Sequence, residues 1–371
     1  MTEDIPDRVR DIPLATTVTK DRLNDKQLAD YCHTRKHFVK WLFTFGKDIT
    51  TAEGYSETTA RSYADKHDQF CRWVWDEENR YTMSLTHDHA DSYMQHIAFS
   101  DLAPSSRPSY YKSVRVYFDF LSHQRGMEEW EPEMTFSHRA DISKPKDHFT
   151  TDERQKLREA ALEYGSVPSY HSVTPDERHK WTLHLAQRFE KPMNEVGKDD
   201  WDRANGWKYA SLIWTALDTA LRPIEVERSK VSWIDLDRQV LVIPREASKN
   251  DERWESALTA KTVMALDKWL RERECYELYD GRDEIWLTKY GNPYDKDSLS
   301  NVVRRVCDVA DIDTTNRDVS WYSIRRGTIT AMCEAGDIAA AQQQARHKDP
   351  RSTMRYDQPS TERRRDVLEN L

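Results

Sequence analysis

Arg222, Lys249, Tyr322, Arg325, His347 and Tyr356 follow one another through the later part of the chain, and their types suit work on a phosphodiester. Such a linkage carries one negative charge and gains more in a trigonal-bipyramidal transition state, so a catalyst needs fixed cations aimed at the non-bridging oxygens. Arginine serves best, because its planar fork holds phosphate in two places and keeps its proton. Two arginines from distant segments, a lysine on a turn, a histidine and a tyrosine near the end read as clamp, acid and nucleophile. A tyrosine that attacks phosphorus stores the ester energy in a covalent link, so the set calls for neither metal nor ATP.

Each residue also has a plainer use. Arg222 follows the apolar run Leu212, Ile213, Trp214, Ala216, Leu217 and precedes Pro223 at a helix start. Free backbone N–H groups and the dipole favour an anion there; the alternative is a salt bridge to Glu225 or Glu227. Arg325 and Arg326 open a helix running through Thr328, Ile329 and Met332. Adjacent helical residues point about a third of a turn apart, so one of the two faces a phosphate. Arg325, three positions after Tyr322, is the choice. Tyr322 is either a phosphate ligand or packing, since a phenol can donate a hydrogen bond but cannot shuttle protons near neutrality. Lys249 on its turn is otherwise a solvated charge. Tyr356 lies between Arg355 and Asp357 rather than in an apolar run, and neighbouring cations favour a phenolate.

In these contexts the chain resembles the tyrosine recombinase, or phage integrase, family. Thr219-Ala220-Leu221-Arg222-Pro223-Ile224-Glu225-Val226 is similar to the family's first box, Thr-Gly-Leu-Arg-x-x-Glu-Leu. Tyr322-x-x-Arg325 with Arg326 stands where the second box has His-x-x-Arg-His/Arg. Ala345-Arg346-His347, then Ser352-Thr353-Met354-Arg355-Tyr356, resembles Leu-Gly-His followed by Thr-Thr-x-x-Tyr. Two departures stand out: Tyr322 replaces a histidine, and Arg346 replaces a glycine where it can alter the local turn.

The resemblance implies that Tyr356 attacks the scissile phosphate to form a 3′-phosphotyrosyl link and free a 5′ hydroxyl. Arg222 and Arg325 would clamp the phosphate, and Lys249 would protonate the leaving 5′ oxygen. His347 would bond the phosphate or orient the nucleophile. Double-stranded DNA is the implied partner, with a monomer or dimer free in solution and a tetramer on DNA. The implied activity is site-specific recombination or integration. Two alternatives share the fold: relaxation of DNA in the manner of a type IB topoisomerase, and an architectural DNA-binding protein with impaired chemistry.

The elements that must position these residues can be read from pattern. A chain of 371 residues has room for two or three domains. Residues 1–25 lack apolar periodicity and read as a mobile arm. From 26 to 140 the pattern is helical: Phe38, Val39, Trp41, Leu42 and Phe45 open it, Ser56 begins a helix with Tyr63, Phe70 and Val74, and Tyr110, Val114, Tyr117, Phe118 and Leu121 share one helix face. These helices resemble the family's DNA-gripping core-binding domain. Residues 131–147, with Pro132 and Pro145, read as a linker. The catalytic domain spans 148–371, with Thr150 and Thr174 as helix caps and an inserted helical element at 160–205. Trp233–Leu236, Arg238–Pro244 and Trp254–Leu258 are strand-like around the Lys249 turn. A last helix begins near Ser360 and packs either in cis or on a neighbouring protomer. The fold class expected is mainly α with a small antiparallel sheet.

Composition narrows the classes. No continuous apolar run approaches a membrane span and the start is no signal peptide, so a cytoplasmic address is expected. Five scattered cysteines without a Cys-x-x-Cys pair speak against disulfides and cysteine-held zinc. His87 and His89 do not share a helix face and read as a polar loop or helix start. Neither a Walker loop nor a dinucleotide fingerprint occurs among the 10 glycines, so no cofactor is expected. The net charge of -9 is unusual for a DNA binder. Either the positive charge is local, around Arg325, Arg326, Arg346, Lys348, Arg351 and Arg355, or the surface is acidified for a salt-rich cytoplasm, as in a halophilic archaeon or its virus or plasmid.

Overall fold

The computed structural model describes residues 7–136, 147–248 and 252–357, with Arg365, Leu368 and Glu369. The chain divides into two compact units, Met1–Lys144 and Pro145–Leu371. The expected linker falls mostly on residues outside the described ones; ahead of them, Trp130 and Phe136 pack on the first unit's core.

In the first unit, β1 (Arg8–Val9) pairs antiparallel with β2 (Ile12–Pro13), and α1 (Thr17–Lys20) follows. Four longer helices come next: α2 (Asp25–Thr44), α3 (Glu57–Glu77), α4 (His87–Phe99) and α5 (Arg107–Arg125). Phe38, Phe70, Val74, Val114, Tyr117 and Phe118 meet in one core, so the aromatic stripes serve packing. Ser56 stands at the α3 N-cap without a side-chain capping bond. His89 sits in the first turn of α4: its Nδ1 accepts from the Thr86 backbone N–H at 3.1 Å and its Nε2 lies 3.1 Å from Glu78.

The mobile arm expected over residues 1–25 needs correction from residue 8 onward. Ile12 and Leu14 are wholly buried in the unit's core. Thr16 and Thr19 donate through their hydroxyls to the buried Asp68 carboxylate at 3.0 and 2.7 Å, and Arg35 Nε donates to the Leu14 carbonyl at 3.2 Å. Periodicity missed this segment because its apolar run, Ile12 to Ala15, is shorter than a helical turn can reveal. Burial of those few side chains and satisfaction of a buried carboxylate outweigh the cost of ordering it.

The second unit opens with α6 (Thr151–Tyr164), α7 (Pro175–Phe189) and α8 (Lys198–Asp202). Thr150 and Thr174 cap α6 and α7 with reciprocal bonds to Glu153 and Glu177. Within the stretch expected as an insertion, Val167, Val173, Trp181, Leu185, Trp201 and Ala204 gather with Cys275 into a small core of their own. The main core forms around α9 (Lys208–Thr219), whose almost wholly buried sequence packs against α6 and against α11 (Ala260–Arg273). After α9 come the short α10 (Pro223–Glu227) and the antiparallel sheet β3 (Ile234–Asp235), β4 (Val240–Ile243), β5 (Trp254–Ala257). Leu241 pairs with Ser256 and Ile243 with Trp254. Beyond α11 come α12 (Lys296–Val309), α13 (Trp321–Glu334), α14 (Ile338–Ala345) and α15 (Pro350–Met354); the last helix expected from Ser360 falls mostly outside the described residues.

Candidate active site

The chain reverses at the end of α9, where Ala220 takes a left-handed conformation at φ 51°, and Arg222 becomes the N-cap of α10 with Pro223 behind it. Glu225 reaches back across that turn. Its carboxylate accepts from the Arg222 backbone N–H at 2.7 Å and from Arg222 Nη1 at 2.7 Å. The plain alternative for Arg222 is therefore realised, yet it does not exhaust the guanidinium: Nη2 donates to the Arg346 carbonyl at 3.2 Å and reaches the Ala345 carbonyl at 3.5 Å. With only five residues, α10 contributes a small dipole, so the cation at its start is chiefly Arg222 itself.

Arg325, one turn into α13 and 4% exposed, donates to the Ala220 carbonyl and the Ala345 carbonyl, each at 2.5 Å. Its Nη2 also lies 3.0 Å from His347 Nε2. Arg326 turns elsewhere, to the Asp147 carbonyl at 2.8 Å and Ser323 Oγ at 3.0 Å. The helical argument for one inward arginine thus has its geometric counterpart in Arg325.

Arg346 ends α14 in the left-handed region at φ 56°, the turn a glycine would make without strain. Its side chain is wholly buried. It donates to Glu225 Oε2 at 2.8 Å and Oε1 at 3.3 Å, to Ser256 Oγ at 2.8 Å, and to the carbonyls of Thr219, Gln344 and Ala220 at 2.6, 2.7 and 3.0 Å. The local turn survives the replacement, and the added side chain fills the interior.

His347 follows at once. Burial, then Arg325, Arg222 and Arg346, push its pKa down to about 4, so the ring is neutral at pH 7. Because Arg325 can only donate, Nε2 is the acceptor, and the proton sits on Nδ1, 2.9 Å from Thr353 Oγ1. Tyr356 lies just past α15, its ring stacked on His347 with centroids 6.1 Å apart. It packs against a small cluster of Ala220, Ile329, Cys333, Ala341 and Ala345. Ala220 and Ala345 thus each serve twice, offering carbonyls to arginine and belonging to the apolar cluster beside the tyrosine.

Burial would raise the Glu225 carboxyl, but Arg346, Arg222 and Arg325 outweigh it and hold it at about 2. Burial first, then Arg222 and Arg346, bring Arg325 down to about 9, which still leaves it charged at neutral pH. The cluster therefore holds three positive charges against one negative, all four side chains buried or nearly so. A buried surplus of positive charge is costly until an anion joins it.

Residues 190–363, from before Arg222 to beyond Tyr356, match the phage integrase family. Residues 190–363 thus form a phage integrase family domain. Its fold matches the XerH site-specific recombinase bound to difH substrate as a pre-cleavage complex, with a TM-score of 0.57 and 14% identity over 93% of this chain and 88% of that one. It also matches the Tn1549 transposon integrase in complex with a circular intermediate DNA, with a TM-score of 0.56 and 12% identity over 91% of this chain and 98% of that one. At such identities the likeness is one of fold. No curated protein matches the sequence, and neither match supports a salt-rich source.

Within this integrase-family unit, Arg222, Arg325, His347 and Tyr356 come together. Tyr322 lies in the first turn of α13 and is 37% exposed. Lys249 lies outside the described residues. Lys348, expected to add local charge, pairs with Glu252 at 2.9 Å. Sequence reading undervalued Glu225, Arg346 and Thr353. The signal for the first two was their joint presence beside two motif positions in an apolar setting, since a buried arginine requires a carboxylate. Among the described residues no helix is long and apolar enough to cross a membrane.

Proposed function

We propose that this integrase-family chain is a site-specific DNA recombinase that cleaves and rejoins strands through a 3′-phosphotyrosyl intermediate. The observation that supports it most is the buried surplus of positive charge shared by Arg222 and Arg325 beside His347 and Tyr356. A backbone phosphate entering there would offset half of that surplus, and more of it as negative charge builds in the transition state, while accepting hydrogen bonds from both forks.

In the forward step the Tyr356 phenol oxygen forms a bond to phosphorus as the bond from phosphorus to the 5′ oxygen breaks. The phenol proton passes to water, since the accepting nitrogen of His347 already holds the Arg325 hydrogen bond. The 5′ oxygen takes a proton from Lys249, the role the family resemblance implies. The 5′ hydroxyl of a second DNA end then reverses the step and restores Tyr356. Arg222 and Arg325 hold the non-bridging oxygens throughout, and Tyr322, exposed one turn before Arg325, adds an outer hydrogen-bond donor. Double-stranded DNA is the substrate, the assembly on it is a tetramer formed from free monomers or dimers, and the compartment is the cytoplasm. The helical first unit grips the DNA as a core-binding domain, and the α7–α8 segment is an insertion in the catalytic domain.

The test is incubation with supercoiled plasmid carrying paired candidate sites. Recombinant product supports the reading. Relaxation without exchange would assign a topoisomerase, and binding without either would assign an architectural protein.

A further inference from the structure

Arg346 is hydrogen-bonded to Glu225 through its guanidinium and to Arg222 through its carbonyl. Its guanidinium is wholly buried and spent on Glu225, Ser256 and three carbonyls. It is also the residue by which this chain departs from the glycine of the family pattern. Without it, Glu225 would set its full charge against Arg222, whose Nη1 already lies 2.7 Å away. The lining would then carry two positive charges against one negative, rather than three against one.

We propose that Arg346 is a charge-balancing positioning residue: by matching the charge of Glu225 it leaves Arg222 and Arg325 with two uncancelled positive charges for a phosphate that Arg346 itself never contacts. Coulombic interaction among buried groups is strong and weakly screened, so a wholly enclosed arginine can strengthen an anion site from behind. The same residue closes a clasp. Arg222 donates to the Arg346 carbonyl while Arg346 donates to the carboxylate that Arg222 shares. Charge and position thus act through one pair of residues, and they can be separated by mutation.

This inference rests on the strand-transfer reading, but part of its test needs no DNA. His347 faces Arg325, Arg222 and Arg346, with Thr353 on its other nitrogen and Tyr356 stacked beside it. In Arg346→Met its titration, followed by NMR, should move to higher pH, and in Glu225→Gln/Arg346→Met it should return toward wild type. On a nicked DNA substrate, Arg346→Met should slow covalent adduct formation about 100-fold. The double variant, which restores a net charge of two, should recover to within about tenfold of wild type. Arg346→Lys keeps the charge without the fork and should also stay within about tenfold, which decides the matter if the methionine variants fail to fold.

A double variant no faster than Arg346→Met, an unmoved His347 titration, or a lysine variant as slow as a misfolded methionine variant would each overturn the proposal. Wild-type protein that forms no adduct would instead sink the strand-transfer reading, while the histidine titration still decides this one.

Discussion

Arg222 and Arg325 share an acceptor: each points a guanidinium nitrogen at the Ala345 carbonyl, at 3.5 and 2.5 Å. One arginine comes from the turn after α9 and the other from α13, so two segments far apart in sequence are aimed at one spot by the end of α14. Like charges brought so close repel, and the arrangement persists because Glu225 and several carbonyls surround them.

That crowding makes the fork of Arg325 hard to replace. Arg325→Lys keeps the charge but cannot reach the carbonyls of Ala220 and Ala345 and also present a donor to phosphate. Adduct formation in a nicked-substrate assay should fall by about 100-fold, with DNA affinity in a gel-shift assay close to wild type. Equal losses of affinity and rate would mean that Arg325 acts in folding rather than on the phosphate.

The buried N-terminal segment has a stability consequence. Leu14→Ala removes a wholly buried side chain and should destabilise the first unit by about 2–5 kcal/mol in urea unfolding. A change below about 0.5 kcal/mol would restore the mobile-arm reading.

A pH effect follows from His347. Its pKa is lowered from the ordinary 6.5 to about 4, so the unfolded chain binds more protons than the folded one between those values. Stability from this group is therefore present above pH 6.5 and is lost as pH falls toward 4. Glu225, held at about 2 against an ordinary 4.5, adds a second loss below pH 4.5. Thermal unfolding of His347→Gln should show a shallower decline from pH 6.5 to 4.5 than wild type; parallel curves would place a charged histidine in the fold.

Residues with a strong local signature were readable in advance. Thr150 and Thr174 announce helix starts because a threonine three before a glutamate satisfies two orphan donors. Strand β4 shows as a short apolar run, Val240 to Ile243, rich in β-branched residues and closed by Pro244. Tyr356 and His347 were picked out by the resemblance of their local sequences to the family's motifs. What sequence could not show is where long side chains go. Arg346 looked like a flaw in a glycine turn, and its worth lies in contacts with Glu225 and Ser256, which approach only after β5 and α10 have packed. Tyr322 matched a motif position whose register alone cannot say how deep it sits. The segment from Ile12 to Ala15 is too short for periodicity.

The central claim is that the Tyr356 oxygen becomes bonded to phosphorus. A DNA duplex nicked so that the cleaved fragment escapes should leave wild-type protein in an adduct that survives SDS. Protease digestion and mass spectrometry should place the nucleotide on the peptide containing Tyr356, and Tyr356→Phe should yield none. An adduct on another residue, or one of equal yield in Tyr356→Phe, would contradict the account.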